Sequence, residues 1–145
     1  MNILVLNGPN LNLLGIRQPE IYGSTSYQDL LDLIRAEADK LGVNVSFFQS
    51  NHEGALVDAI QQAYFDGVDG IIINPGAYTH TSVALLDAVK SVMIPTVEVH
   101  ISDPDTREDF RHVSYIRQAC AATIKGRGLT GYLDALHFRC NRENA

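Results

Sequence analysis

Short apolar runs alternate along this chain with longer segments of helical period, and that alternation restricts the fold more than any other feature. Ile3 to Leu6, Val43 to Phe48, Gly70 to Ile73 and Thr96 to Ile101 read as strands, because continuous apolar runs this short suit a strand buried on both faces. Between the first two lies Tyr27 to Leu41, where Leu30, Leu31, Ile34, Ala38 and Leu41 recur on one helical face. Ser24 to Ser26 offer N-caps for this helix, and Gly42 suits the position just past its end. Leu56 to Phe65, Ser82 to Val92 and Leu129 to Phe138 repeat the helical pattern. Ala119 to Lys125 reads equally as a fifth strand or as a helix end.

Strands separated by helices must pair in parallel through right-handed crossovers, which cover both faces of the sheet. The expected fold is α/β: a flavodoxin-like, doubly wound, five-stranded parallel sheet with helices on both faces. At 145 residues the chain suits one domain, 1–145, and it shows no internal repeat or linker-like stretch. A formal charge of -6 argues against a phosphate-neutralising surface, so nucleic acid is not expected as a partner. Arg17, Arg107 and Arg111 fall in or beside predicted loops, where a planar guanidinium grips a carboxylate; a small anionic ligand fits better. Cys120 and Cys140 have no metal-type spacing and imply two reduced, buried thiols. The run Ile3 to Leu6 is too short for a signal or membrane segment, so the expectation is a cytoplasmic protein without membrane association.

Ligands in such sheets sit beyond the carboxyl ends of the strands, and four of the loops there are unusual. The first, Asn7-Gly8-Pro9-Asn10 through Arg17 to Tyr22-Gly23, is too long for a plain βα turn. Part of it is structural: Gly8-Pro9 turns the chain, the Asn residues satisfy backbone groups, and Leu11, Leu13 and Leu14 anchor it. Arg17 and Tyr22 are not explained that way. Either they form an ordinary surface pair, or the guanidinium stabilises a Tyr22 phenolate and makes it a base.

The third strand leads into Asn74-Pro75-Gly76-Ala77-Tyr78-Thr79-His80-Thr81-Ser82, where Thr81 or Ser82 can cap the next helix and Asn74 and His80 can hold oxygen ligands. At the end of the fourth strand, period two places Glu98 and His100 on one face. A carboxylate that orients an imidazole holds a proton donor at neutral pH, although a buried structural pair would have the same spacing. Arg107 to His112 would alone be a solvated charged segment, raised in interest by its nearness to His100. His52 is read as a helix cap and His137 as structural. Glu98, His100 and His80 could form a metal site, but no metal-binding signature accompanies them. Fingerprints of nucleotide binding and of serine hydrolysis are absent, and no lysine is placed for imine chemistry.

Taken together, Asn7-Gly-Pro-Asn-Leu-Asn-Leu-Leu-Gly15, Arg17-x-Pro-Glu-x-Tyr-Gly23, Gln49-Ser-Asn-His-Glu-Gly54, Asn74-Pro-Gly-Ala-Tyr-x-His-Thr-Ser82 and Glu98-Val-His-Ile-Ser102 resemble type II 3-dehydroquinate dehydratase, from the first strand to Gly131-Tyr132. The resemblance implies a hydro-lyase without cofactor or metal that converts 3-dehydroquinate to 3-dehydroshikimate by anti elimination through an enolate, in the shikimate or quinate pathway. It implies Tyr22 as the base, Arg17 as its activator, Asn10 at the enolate acting through water, and His100 as the acid oriented by Glu98. Asn74, His80, Arg111 and the backbone of Ile101 and Ser102 would hold the substrate's hydroxyls and carboxylate, and Asp87 would reach a neighbouring subunit's site. Trimers gathered into dodecamers, with Arg17 and Tyr22 on a lid that excludes water, are also implied.

The chain departs from the family pattern at Asp103-Pro104-Asp105, where extra carboxylates stand beside an expected anion site, and at Val113. The rival reading is a flavodoxin-like module that binds a small or phosphorylated ligand without catalysis, although its phosphate loop would be rich in Ser and Thr. A second rival is an oligomeric structural protein that keeps the fold without the activity.

Overall fold

The computed structural model describes residues 1–16, 18–22 and 24–144, with backbone alone at 22 and 142–144. Five strands, β1 (Asn2–Asn7), β2 (Asn44–Gln49), β3 (Gly70–Asn74), β4 (Thr96–His100) and β5 (Ala122–Lys125), form one sheet in the order β2-β1-β3-β4-β5. Every neighbouring pair is parallel. The short α1 (Pro19–Tyr22) precedes α2 (Tyr27–Leu41); α3 (Glu53–Phe65), α4 (Val83–Val92) and α5 (Thr130–Asn144) follow. The flavodoxin-like arrangement expected from the alternation is the one observed.

Period two divides the strand residues between two cores. Ile3, Val5, Ile72, Val97 and Val99 face α2 and α5, through Leu30, Ile34, Ala135 and Leu136. Leu4, Leu6, Ile71 and Ile73 face α3 and α4, through Leu56, Ile60, Leu85 and Val89. The α2 boundaries follow their caps: the Ser26 hydroxyl accepts from Asp29 N–H while Asp29 accepts from Ser26 N–H, and Gly42 ends the helix at φ 69°. Ser82 caps α4 by accepting from Leu85 N–H.

Some boundaries differ from those read in the sequence. α3 starts at Glu53, and His52 occupies its N-cap position in extended backbone but makes no side-chain cap bond, so its expected capping role is corrected. α5 runs to Asn144, past the expected end at Phe138, because polar residues carry a helix onward without marking its period. The ambiguous Ala119–Lys125 stretch is both things: a 3₁₀ turn at Ile116–Ala119 and then β5. No α-helix bridges β4 and β5; residues 101–121 form a long connection with 3₁₀ turns at Pro104–Thr106, Asp109–Arg111 and Ile116–Ala119. Both cysteines are half-buried rather than fully buried, and burial pushes the Cys120 thiol up to about 12.

The chain leaves β1 towards β2 and then crosses to β3 on the other side, so the switch point lies between the carboxyl ends of β1 and β3. Asn7 and Asn74 are register partners there. Tyr132, fully buried on α5, donates to Asn7 Oδ1 at 2.6 Å and accepts from Asn74 Nδ2 at 3.0 Å. Asn7 Nδ2 donates onward to the Tyr27 hydroxyl at 3.3 Å. Gly8 follows so closely that a Cβ on it would lie 2.4 Å from the Pro75 carbonyl oxygen, and its N–H donates to Asn74 O at 2.8 Å. Two loops are thus held side by side over a buried polar network. Tyr132→Phe leaves two buried amide groups short of a partner and is expected to lower the unfolding free energy by about 2 kcal/mol in urea titrations. An unchanged urea midpoint would show that the network adds no stability.

Candidate active site

Beyond the switch point and the end of β4 lies a pocket of about 180 Å³. Pro9, Asn10 and Leu11 form one wall, Asn74, Gly76, Ala77 and His80 a second, and His100, Ile101, Ser102, Pro104, Arg107 and Arg111 the rest. Of the residues singled out in the sequence, Asn10, Asn74, His80, His100, Ile101, Ser102 and Arg111 therefore line one space. Glu98 lies beneath it, behind His100. Asp87 is exposed on α4 and does not line it. Arg17 lies outside the described residues; Tyr22 closes α1, and its side chain is likewise outside them.

The first wall rests on the loop after β2. Gln49 Nε2 donates to Gly8 O at 3.1 Å, and Asn51 Oδ1 accepts from Asn10 N–H at 3.0 Å. Asn10 has φ 70°, a left-handed conformation that Asn tolerates better than most residues. Leu11 and Leu14 anchor the loop as expected, but Leu13 is exposed and does not. On the second wall Asn74 Oδ1 accepts from Gly76 N–H at 3.1 Å, fixing the turn. His80 Nδ1 donates to the Val113 carbonyl at 2.7 Å. Burial, against the pull of that hydrogen bond, lowers the His80 pKa, so a neutral ring can present Nε2 as an acceptor.

Glu98 and His100 share the α3/α4 side of β4, as period two requires. The His100 Nε2–H donates to Glu98 Oε2 at 2.5 Å, leaving Nδ1 as the ring nitrogen that can serve a ligand. Glu98 has no exposed surface. Oε1 accepts from Arg117 Nε and from Thr123 Oγ1, each at 2.9 Å, and Oε2 accepts from Ser114 Oγ at 2.6 Å and Thr79 Oγ1 at 3.0 Å. Burial disfavours the charge, but hydrogen bonds from His100 and Arg117, supported by Ser114, outweigh it and hold the carboxyl well below the usual carboxylate range. The oxygens of Glu98 are thus engaged by donors, and among the described residues no three His, Cys, Asp or Glu side chains gather as a metal site.

Arg117, Ser114, Thr123 and Thr79 were not singled out in the sequence, and Thr79 stood only as a variable position within the fourth motif. The available signal was Glu98 itself: a carboxylate inside an apolar strand demands donors, one of them cationic. Tyr132 was quoted only as the end of the matched region.

The Arg107–His112 segment, raised in interest by its nearness to His100, contributes Arg107 and Arg111 to the pocket wall. The Arg111 guanidinium lies 5.0 Å from the centre of the Phe110 ring, and its Nε donates to Glu108. The unusual Asp103 and Asp105 lie beside Lys125, whose ammonium pairs with Asp105 and sits 4.0 Å from Asp103. One of their two charges is thereby offset locally. Among the described residues no helix is long and apolar enough to cross a membrane.

A carboxylate-oriented imidazole, neighbouring acceptors and two guanidinium groups, set at the carboxyl edge of a parallel sheet, give an α/β protein the groups that acid–base chemistry on a small anion requires. Residues 1–140 match the model of the family described as Dehydroquinase class II. A 3-dehydroquinate dehydratase from Caldicellulosiruptor bescii is 59% identical over 135 residues, covering 93% of each chain. One from Clostridium perfringens is 53% identical over 142 residues, covering 98% of this chain and 99% of the relative. The crystal structure of type II dehydroquinase from Butyrivibrio crossotus superposes with a TM-score of 0.95 at 51% identity, covering 96% of this chain and 97% of that one. That from Propionibacterium acnes gives 0.93 at 41%, covering 97% and 96%. The chain belongs to the class II dehydroquinase family.

Glu98→Gln removes the charge that Arg117 and His100 surround and leaves a cation against a neutral amide; the expected loss is about 3 kcal/mol at pH 7. The folded-state pKa of Glu98 is depressed, so its contribution is present above the unfolded value near ~4.3 and fades as pH falls from there towards the folded value. The gap in urea stability between wild type and variant should therefore narrow below about pH 4. A gap that widened in acid would contradict this assignment.

Proposed function

We propose that this pocket carries out its dehydration as an acid–base elimination by residues of the chain alone. The reaction, removal of water from 3-dehydroquinate within the shikimate pathway, and its class, hydro-lyase, follow from family membership. Membership also decides against a binding module or structural protein without catalysis. A β-hydroxy ketone that loses water needs a base for the α proton, a stabiliser for the enolate and an acid for the leaving hydroxyl. Tyr22, activated by Arg17, takes the C2 proton; Asn10, acting through water, stabilises the enolate; His100 gives its proton to the departing hydroxyl, and 3-dehydroshikimate remains. Arg111, Asn74, His80 and the backbone of Ile101 and Ser102 hold the carboxylate and ring hydroxyls.

The observation that carries this reading is the 2.5 Å bond from His100 to a fully buried, ionised Glu98 in a wall shared with Arg107 and Arg111. The assignments of Arg17 and Tyr22 rest on their motif. Asp87 serves a neighbouring subunit's pocket, in trimers assembled into a dodecamer of 1–145 single catalytic domains working in the cytoplasm.

With chelator present and no added cofactor, the purified chain is expected to convert 3-dehydroquinate to a product with conjugated-enone absorbance. No change in absorbance from a folded protein would overturn the proposal. Tyr22→Phe should keep the circular dichroism of the wild type and lose about a hundredfold or more in kcat, the usual scale for removing a general base. Turnover near that of the wild type would exclude Tyr22 as the base.

A further inference from the structure

Arg117 does not line the pocket, yet it is tied to the acid through one shared carboxylate. Its Nε donates to Glu98 Oε1 at 2.9 Å and its Nη2 to Oε2 at 3.4 Å, while His100 Nε2 donates to the same Oε2. Thr123 completes Oε1, and Thr79 and Ser114 also donate to Oε2. Arg117 itself keeps about a third of its side chain in solvent, at 34%, and sits on the Ile116–Ala119 turn rather than in either core. Filling space is therefore not its main contribution.

We propose that Arg117 is a positioning residue for the elimination: it matches the Glu98 charge and holds the carboxylate so that His100 is aimed but not over-stabilised as a cation. The proposal rests on the reading of His100 as the acid. With Arg117 in place the carboxylate already has a cationic partner, so a proton on His100 sets a second positive charge against one buried negative charge. Without Arg117 the imidazolium becomes the sole cation paired with a buried anion and retains its proton more tightly.

The other charged groups around His100 are differently engaged. Lys125 is its register partner on β5, but its ammonium is directed to Asp105 and Asp103. His80 faces it from the turn after β3 with its pKa lowered by burial, and Arg107 and Arg111 line the same pocket. Among the described residues Arg117 is the one cation besides His100 in an ion pair with Glu98.

Arg117→Gln keeps a hydrogen-bond donor and removes the charge, whereas Arg117→Lys keeps the charge and removes the fork. Histidine-labelled protein without substrate would be titrated by NMR, alongside pH profiles of kcat and KM with 3-dehydroquinate. The expected result is a His100 midpoint about one pH unit higher in Arg117→Gln. The kcat limb should move with it, KM should change little, and Arg117→Lys should stay near the wild type. An unmoved His100 midpoint in folded Arg117→Gln overturns the proposal, as does a lysine variant displaced as far as the glutamine variant. Should Arg117→Gln fail to fold, Arg117→Lys decides alone: a wild-type midpoint supports the proposal and a displaced one overturns it. Because the NMR titration needs no turnover, a midpoint that moves while the kcat limb stays put overturns instead the role of His100 as the acid.

Discussion

A carboxylate with no exposed surface, set in the middle of a strand, is the constraint on which the rest of this site depends. Left alone, an ionised Glu98 would be intolerable in a core, so it must be surrounded by donors. Those donors come from separate parts of the chain: His100 from its own strand, Thr79 from the turn after β3, Ser114 and Arg117 from the β4–β5 connection, and Thr123 from β5. Satisfying one side chain thereby pins an irregular connection of about twenty residues, with no α-helix of its own, against the sheet. Residues of that same connection, Pro104, Arg107 and Arg111, then become a pocket wall.

The second buried network works on the other side of the pocket. A parallel sheet of order β2-β1-β3-β4-β5 separates two loops at the switch point, and nothing in the strands themselves requires those loops to stay together. Tyr132, arriving from α5, bonds Asn7 and Asn74 at once, and Gly8 allows the two backbones to approach without a Cβ between them. Asn10 and Asn74 therefore reach the pocket from a rigid base. The two networks have the same logic: a polar group buried for function is held by partners distant in sequence, and holding it orders the loops that line the site.

Much of the fold was legible because burial on both faces leaves a direct mark on composition. The runs at Ile3 and Gly70 and the periodicity of Tyr27–Leu41 announce strands and a helix without knowledge of anything they touch. Boundaries were less legible where polar residues continue an element, as at the end of α5, or where a turn and a strand adjoin, as at Cys120. The Glu98–His100 pair was visible because period two is a local rule. Arg117, Ser114 and Thr123 were not, since each lies 16 to 25 residues from Glu98 in sequence and is indistinguishable there from a surface polar residue. The acidic loop at Asp103–Asp105 looked unfavourable for an anion site, and Lys125, on β5, offsets one of its two charges.

By itself, then, the sequence determined the parallel α/β architecture, the motifs of the family, and which residues of β4 share a face, because hydrophobic period and local spacing act over a few residues. Only the tertiary structure decided which side chains surround Glu98, that Pro104 and Arg107 join Arg111 in the pocket wall, and that Tyr132 joins the loops after β1 and β3. Those choices depend on contacts between elements far apart in the chain. They are made when the sheet closes and each buried polar group must find a partner.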